Sequence, residues 1–187
     1  MKKVSVFITA ILLSFFLFAF TANESTTAPS GAKYVGAKKC GMCHKSKTGN
    51  QYKIWKNSKH AKAYETLLTD KANKIAAKKG LGKAAEAKEC LSCHVTGHND
   101  ATAVFDKRFK IEMGIQCETC HGPGSKYKSR RVMKNREKAI SKGLVLYKND
   151  AAIEAKCKTC HNEKSPTFKS FNFKKMWAKI AHPIPKK

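Results

Sequence analysis

All eight cysteines of this 187-residue chain fall into four Cys-x-x-Cys pairs, and a histidine follows each pair at once. The pairs are Cys40-Gly-Met-Cys43-His44, Cys90-Leu-Ser-Cys93-His94, Cys117-Glu-Thr-Cys120-His121 and Cys157-Lys-Thr-Cys160-His161. A disulfide framework would explain paired cysteines in an exported chain, but it gives no reason for the histidines. Four-thiolate zinc ribbons leave them unexplained as well, and thioredoxin-like redox pairs need one motif in a strand-turn-helix setting, not four copies. Covalent c-type haem attachment accounts for every residue: two thiols add across the porphyrin vinyl groups, and the adjacent imidazole reaches the iron. Only seven histidines are present, and four of them share this one relative position. The chain is therefore expected to carry four covalent haem c groups, one per motif.

Roughly forty residues per haem leave little side-chain material for a separate core, so the porphyrins must supply much of the buried apolar surface. Folding and cofactor binding are then one free-energy event, as in small metal domains. Before that domain stands a lysine-flanked apolar run, Val4 to Phe20, interrupted only by Ser5, Thr9 and Ser14 and followed by small and polar residues. Residues 1–22 read as a secretory signal peptide, which sends the protein to the periplasm or outside the cell. A retained membrane anchor is the competing reading, although the run is short for a bilayer span and no clean A-x-A site follows it. Residues 23–33 read as a flexible lead-in, and residues 34–187 as one haem-organised domain.

Removing residues 1–22 takes away two lysines and no acids from a chain of formal charge +25, leaving +23. Such charge suits docking to an acidic redox protein or to an anionic membrane face. Nucleic acid is excluded as a partner by the export signal and by the lack of any recognised nucleic-acid motif. The same charge opposes self-association into a haem filament and favours a monomer.

Beyond the four motif histidines stand His60, His98 and His182, three candidates for four sixth coordination positions. At least one iron therefore has no distal histidine. His60 lies in a run from Gln51 to Leu68 without proline or glycine, read as helical, with Tyr64 and Leu67 on the same face at i+4 and i+7. His182 follows the stripe Phe173, Met176, Trp177, Ile180, with Asn172 as N-cap and Pro183 as stop, and is expected at the end of a short amphipathic helix. His98 is four residues beyond His94, on the wrong side to complete the same iron, and Gly97 suggests a loop; it serves a different haem or none. Further helices are expected over 71–79 and 83–88, broken at Gly80 and Gly82, over 131–142 closed by Gly143, and after Asn149 and Asp150.

Taken together, several blocks resemble the tetrahaem five-five-four type cytochromes c. They are Lys38-Lys39-Cys40 with Cys43-His44, Trp55 ahead of His60-Ala61-Lys62-Ala63, and Cys93-His94-Val95 before Gly97. Gly114-Ile115-Gln116 leading into Cys117 to Gly124, the fourth motif, and Phe171-Asn172-Phe173 before His182 complete the set. The resemblance implies a mainly α fold, short helices and loops wrapped around four haems in closely stacked pairs. It also implies a ligand scheme in which His60 caps the haem of Cys117 and Cys120, His182 that of Cys157 and Cys160, and the haem of Cys90 and Cys93 is five-coordinate. Where relatives place the distal histidine of the first haem, this chain has Ser129-Arg130-Arg131-Val132. His98, Met133, a lysine or no ligand at all then completes that haem.

An exported electron carrier is the leading functional expectation, since bis-histidine haems exchange electrons and do little bond chemistry. The alternative is an enzyme reducing a small nitrogen oxide such as nitric oxide at an open haem. Multihaem nitrite reductase chemistry is disfavoured, because its active haem resembles Cys-x-x-Cys-Lys and all four motifs here end in histidine.

Overall fold

A computed structural model describes residues 29–185, so the signal-peptide reading lies outside the described residues. Ten short α-helices and three 3₁₀ turns alternate with loops. Among the described residues there is no β-strand; one isolated parallel bridge joins Tyr34 to Phe105. No helix of the described residues is long and apolar enough to cross a membrane.

Every motif sits at or near a helix. Helix α1 (Ala37–Cys40) ends on the first cysteine, and the second motif closes a later helix. Between them, α2 (Gln51–Lys56) is followed by a 3₁₀ turn, His60–Lys62, and then by α3 (Ala63–Leu67). The helix-rich run around His60 is thus not one helix. Asn57 ends α2, and the Ser58 hydroxyl donates to the Trp55 carbonyl at 2.7 Å, which occupies an acceptor the next turn would need. The 71–79 expectation is met by α4 (Asp70–Lys78), capped by Thr69, whose hydroxyl accepts from Ala72 N at 3.2 Å.

The helix expected over 83–88 does not form. Ala84 and Ala87 are buried, Ala84 N donates to the Asn73 side chain at 3.0 Å, and Ala87 is extended ahead of α5 (Lys88–His94), which carries the second motif. Six residues nucleate a helix poorly, and packing against Leu67 and Ala76 decides the outcome. After α6 (Cys117–His121), the stretch expected as one helix over 131–142 is two, α7 (Arg130–Met133) and α8 (Arg136–Ser141). Asn135 breaks it by leaving the helical region to accept from Lys138 N at 2.8 Å.

The caps read at Asn149 and Asn172 are present. Asn149 accepts from Ala152 N at 2.9 Å at the start of α9 (Asp150–Lys158), which runs into the fourth motif. Asn172 accepts from Lys175 N at 3.0 Å before α10 (Phe173–Trp177). That last helix stops at Trp177, so His182 stands beyond a further turn in non-helical chain and not at the helix end.

Side chains alone bury little. Two small clusters stand out, Leu67 with Ala76 and Ala84, and Tyr127 with Val132 and Ala139. Close backbone approach does much of the joining. Trp55 Nε1 donates to Ile115 O at 2.7 Å, and Ile115 N donates to His60 O at 3.0 Å. Gly114 makes this possible: it has φ 61°, and a Cβ there would lie 2.7 Å from the His60 carbonyl oxygen and 2.9 Å from Ala63 N. Gly114→Ala is expected to destabilise the holoprotein by about 2 kcal/mol or more through strain and backbone clash. A thermal melt followed in the Soret band checks it, and an unchanged midpoint counts against this role.

Candidate haem-binding site

The four motif segments meet in a definite order. Cys40 and Cys117 lie beside one another, and their interaction together with burial pushes the Cys40 thiol well above its ordinary value and holds Cys117 below its own. First and third motifs therefore adjoin. Burial and the neighbouring Cys93 thiol push Cys160 up, which joins fourth to second. Cys120 feels Cys157 and Cys160, and the Tyr147 hydroxyl between them donates to the Cys120 carbonyl at 2.9 Å. The chain order 1, 2, 3, 4 thus becomes the spatial order 1, 3, 4, 2.

Two motif imidazoles are held by their Nδ1 side. His94 Nδ1 lies 2.7 Å from Ala63 O, and His121 Nδ1 lies 3.0 Å from Val145 O. A carbonyl can only accept, so each ring is fixed with a proton on Nδ1 and a lone pair on Nε2. His44 stands beside the buried Gln51 side chain, which opposes the downward push of burial on its ring. His161 is held by stacking on Phe171, with ring centroids 4.9 Å apart at 19°. Burial pushes His44, His60, His121 and His161 below the ordinary imidazole value, so these rings are neutral near pH 7 and offer a free lone pair.

Two of the three extra histidines stand opposite motif histidines. His60 faces His161 with ring centroids 5.9 Å apart, and His182 faces His121, also at 5.9 Å. Two metal–nitrogen bonds of about 2 Å and two ring half-widths add to about 6 Å, the separation of imidazoles sharing one metal ion. These contacts differ from the pairing implied by the resemblance, which sets His60 over the third motif and His182 over the fourth. The cause lies in how each histidine is tethered. The turn carrying His60 is bonded edge-on to Ile115 in the lead-in to the third motif, and Ala63 just beyond it holds His94. That places His60 between the second and fourth motifs. Pro183 O accepts from Gln51 Nε2 at 2.9 Å, which draws His182 to the side of His44 and His121.

His98 lies in a turn after Gly97, with its ring 5.7 Å from that of Phe105. Phe105 in turn packs on Phe109 and Tyr34. Among the described residues no histidine ring faces it. Met133 packs with Tyr127, Val132 and Ala139. The donor set fits haem c: all eight thiols are free, and each pair stands beside an imidazole.

A buried polar frame, missed at the level of sequence, holds the motifs together. Glu118, between the cysteines of the third motif, is 1% exposed. Its carboxylate accepts from Val35 N at 2.8 and 3.1 Å, Gly36 N at 2.7 Å and Gly124 N at 2.6 Å. Burial pushes this carboxyl above its usual range, and those backbone donors oppose the push. Gln116 accepts from Ala37 N at 2.7 Å and donates to Lys110 O at 3.0 Å. Thr96, just past the second motif, accepts from Gln116 N at 2.6 Å and lies 2.7 Å from the Thr119 hydroxyl. Third motif is thereby tied to the approaches of first and second.

Residues 39–122 match the family described as Cytochrome c554 and c-prime, and residues 103–179 match Cytochrome c7 and related cytochrome c. The chain is 31% identical over 155 residues to "Cytochrome c-554" of Nitrosomonas europaea, across 78% of its own length. This chain is similar to the cytochrome c554 family. It spans 63% of the length of that curated relative. The solved structure titled as the reduced state of cytochrome c554 from Nitrosomonas europaea superposes with a TM-score of 0.51 at 26% identity, covering 78% of this chain and 81% of that one. The mainly helical architecture is that of a multihaem cytochrome c fold, and the similarity supports covalent attachment of haem c.

Replacing Glu118 by glutamine keeps the shape but turns an amide NH₂ toward a backbone N–H, since both carboxylate oxygens accept. Glu118→Gln is expected to cost about 3 kcal/mol, from one buried donor left facing another. Guanidinium denaturation of the holoprotein measures it, and a midpoint equal to the parent's contradicts the proposed frame.

Proposed function

We propose that this chain is an exported tetrahaem cytochrome that passes electrons between redox partners. The observation that carries the reading is the pair of crossed histidine contacts, His60 with His161 and His182 with His121, each at 5.9 Å. Bound haem supplies a one-electron ferric/ferrous couple. The chain's part is to offer imidazoles in facing pairs, His121 with His182 and His161 with His60, which would hold the irons, exclude substrate from them and leave electron exchange as their chemistry. The residues proposed as iron ligands are His44, His94, His121 and His161 on the proximal side and His60 and His182 on the distal side. The motif order 1, 3, 4, 2 supports a single conducting series across residues 34–187. The lysine-rich surface supports docking by a monomer to acidic partners, and the apolar N-terminal run supports a periplasmic or secreted location.

A second reading, reduction of nitric oxide, draws on His94. Its ring is anchored at Ala63 O, and the rings of His60, His98 and His182 stand against other partners. A pulse of nitric oxide given to the reduced holoprotein separates the two. Binding at up to one equivalent with no further consumption is expected of a carrier, whereas turnover of many equivalents establishes an enzyme.

Electron paramagnetic resonance of the oxidised holoprotein tests the ligand pairs. His60→Ala and His182→Ala are each expected to convert one low-spin haem into a high-spin one. Low-spin spectra unchanged in both variants would remove the basis of the assignment.

A further inference from the structure

The first motif has an outer as well as an inner side. On the inner side Ala37 is fully buried and Cys40 reaches Cys117. On the outer side, four residues apart, stand Lys38 and Met42, the latter 64% exposed inside the Cys-x-x-Cys segment. They line a cleft of about 420 Å³ whose apolar floor is Val35 and Met42 and whose far wall carries Lys107, Arg108 and Lys110. Arg108 is taken up by Asp106 at 3.2 Å. None of the three ion pairs among the described residues uses Lys38, Lys107 or Lys110. A comparable cleft of about 370 Å³ on α7 is lined by Arg130, Arg131 and Lys134 alone, with no apolar floor and no cysteine motif behind it.

Resting on the electron-transfer reading, we propose that the cleft at Met42 is the face on which an acidic redox protein docks to exchange electrons through the first motif. Transient redox encounters bury little surface, below about 1,200 Å² in total, and combine a small apolar contact with a charged rim. The cleft offers both. Uncompensated lysines attract carboxylates over long range and set the association rate, while Met42 gives a flexible apolar contact that tolerates imperfect fit. The partner's matching patch is a ring of aspartates and glutamates around an exposed cofactor edge.

The test uses the oxidised holoprotein and flavodoxin hydroquinone as the acidic one-electron donor, mixed by stopped flow over a range of salt. The variants are Lys38→Glu with Lys107→Glu and Lys110→Glu, against Arg130→Glu with Arg131→Glu and Lys134→Glu, which change the charge equally. The first triple variant is expected to slow bimolecular reduction about tenfold or more at low salt and to flatten its salt dependence, and the second to slow it far less. Equal slowing in both makes net charge the cause and overturns the proposal, as does no slowing in the first. Haem potentials shifted in the first triple assign these lysines to the protein's own propionates, which also overturns it. So does loss of binding to phosphatidylglycerol vesicles with flavodoxin kinetics unchanged, since the face then serves a membrane. Calorimetric binding of flavodoxin that the first triple alone abolishes, with haems that never become reduced, sustains the docking face and removes the carrier reading instead.

Discussion

Imidazole rings facing one another at the span of a single metal ion are the constraint on which the rest of this structure depends. The two contacts divide the molecule into halves. In one, His182 is brought to His121 beside His44, and Cys40 touches Cys117. In the other, the 60–63 turn sets His60 against His161 and holds His94, and Cys93 touches Cys160. Each half thus combines two motifs distant in sequence with one additional histidine. Among the described residues, five of the twelve buried hydrophobic ones are alanines, so side-chain burial alone contributes little toward ordering so much irregular chain. Covalent porphyrin, held by the cysteine pairs, would supply the apolar surface that lets such a chain fold as a unit.

Between those halves and the irregular backbone lies a layer of buried polar groups. Glu118, Gln116 and Thr96 give partners to backbone N–H and C=O groups that no sheet and no long helix would otherwise satisfy. Among the described residues, no buried side-chain nitrogen or oxygen lacks a partner. A loop-rich fold needs this, because each unpaired buried polar group costs as much as several good contacts return. The glycine at 114 belongs to the same economy, allowing the lead-in of the third motif to touch the backbone at His60.

Much of this was legible in the chain itself, for reasons that can be named. Cys-x-x-Cys-His is a chemical requirement with a fixed spacing, so the motifs could be found without any structure. Asn149 and Asn172 were readable as caps because a cap is a local interaction within four residues. The 83–88 and 131–142 segments were misread because their alanines and lysines favour helix, while burial of Ala84 and the side chain of Asn135 decide otherwise. Pairing of His60 with His161, and of His182 with His121, depends on tethers such as Gln51 to Pro183, which join residues 132 positions apart. Local pattern carries no trace of them. The role of Glu118 was hidden for a different reason, since the variable positions inside Cys-x-x-Cys carry no requirement from haem attachment itself.

The central claim is that porphyrin bonded at all four cysteine pairs organises the polypeptide. Mass spectrometry of the purified, denatured protein addresses it directly, because thioether bonds survive denaturation. The account predicts a single species at the mass of the processed chain plus four haems. A chain mass with fewer than four, or with none in a protein that is nonetheless folded, would contradict it.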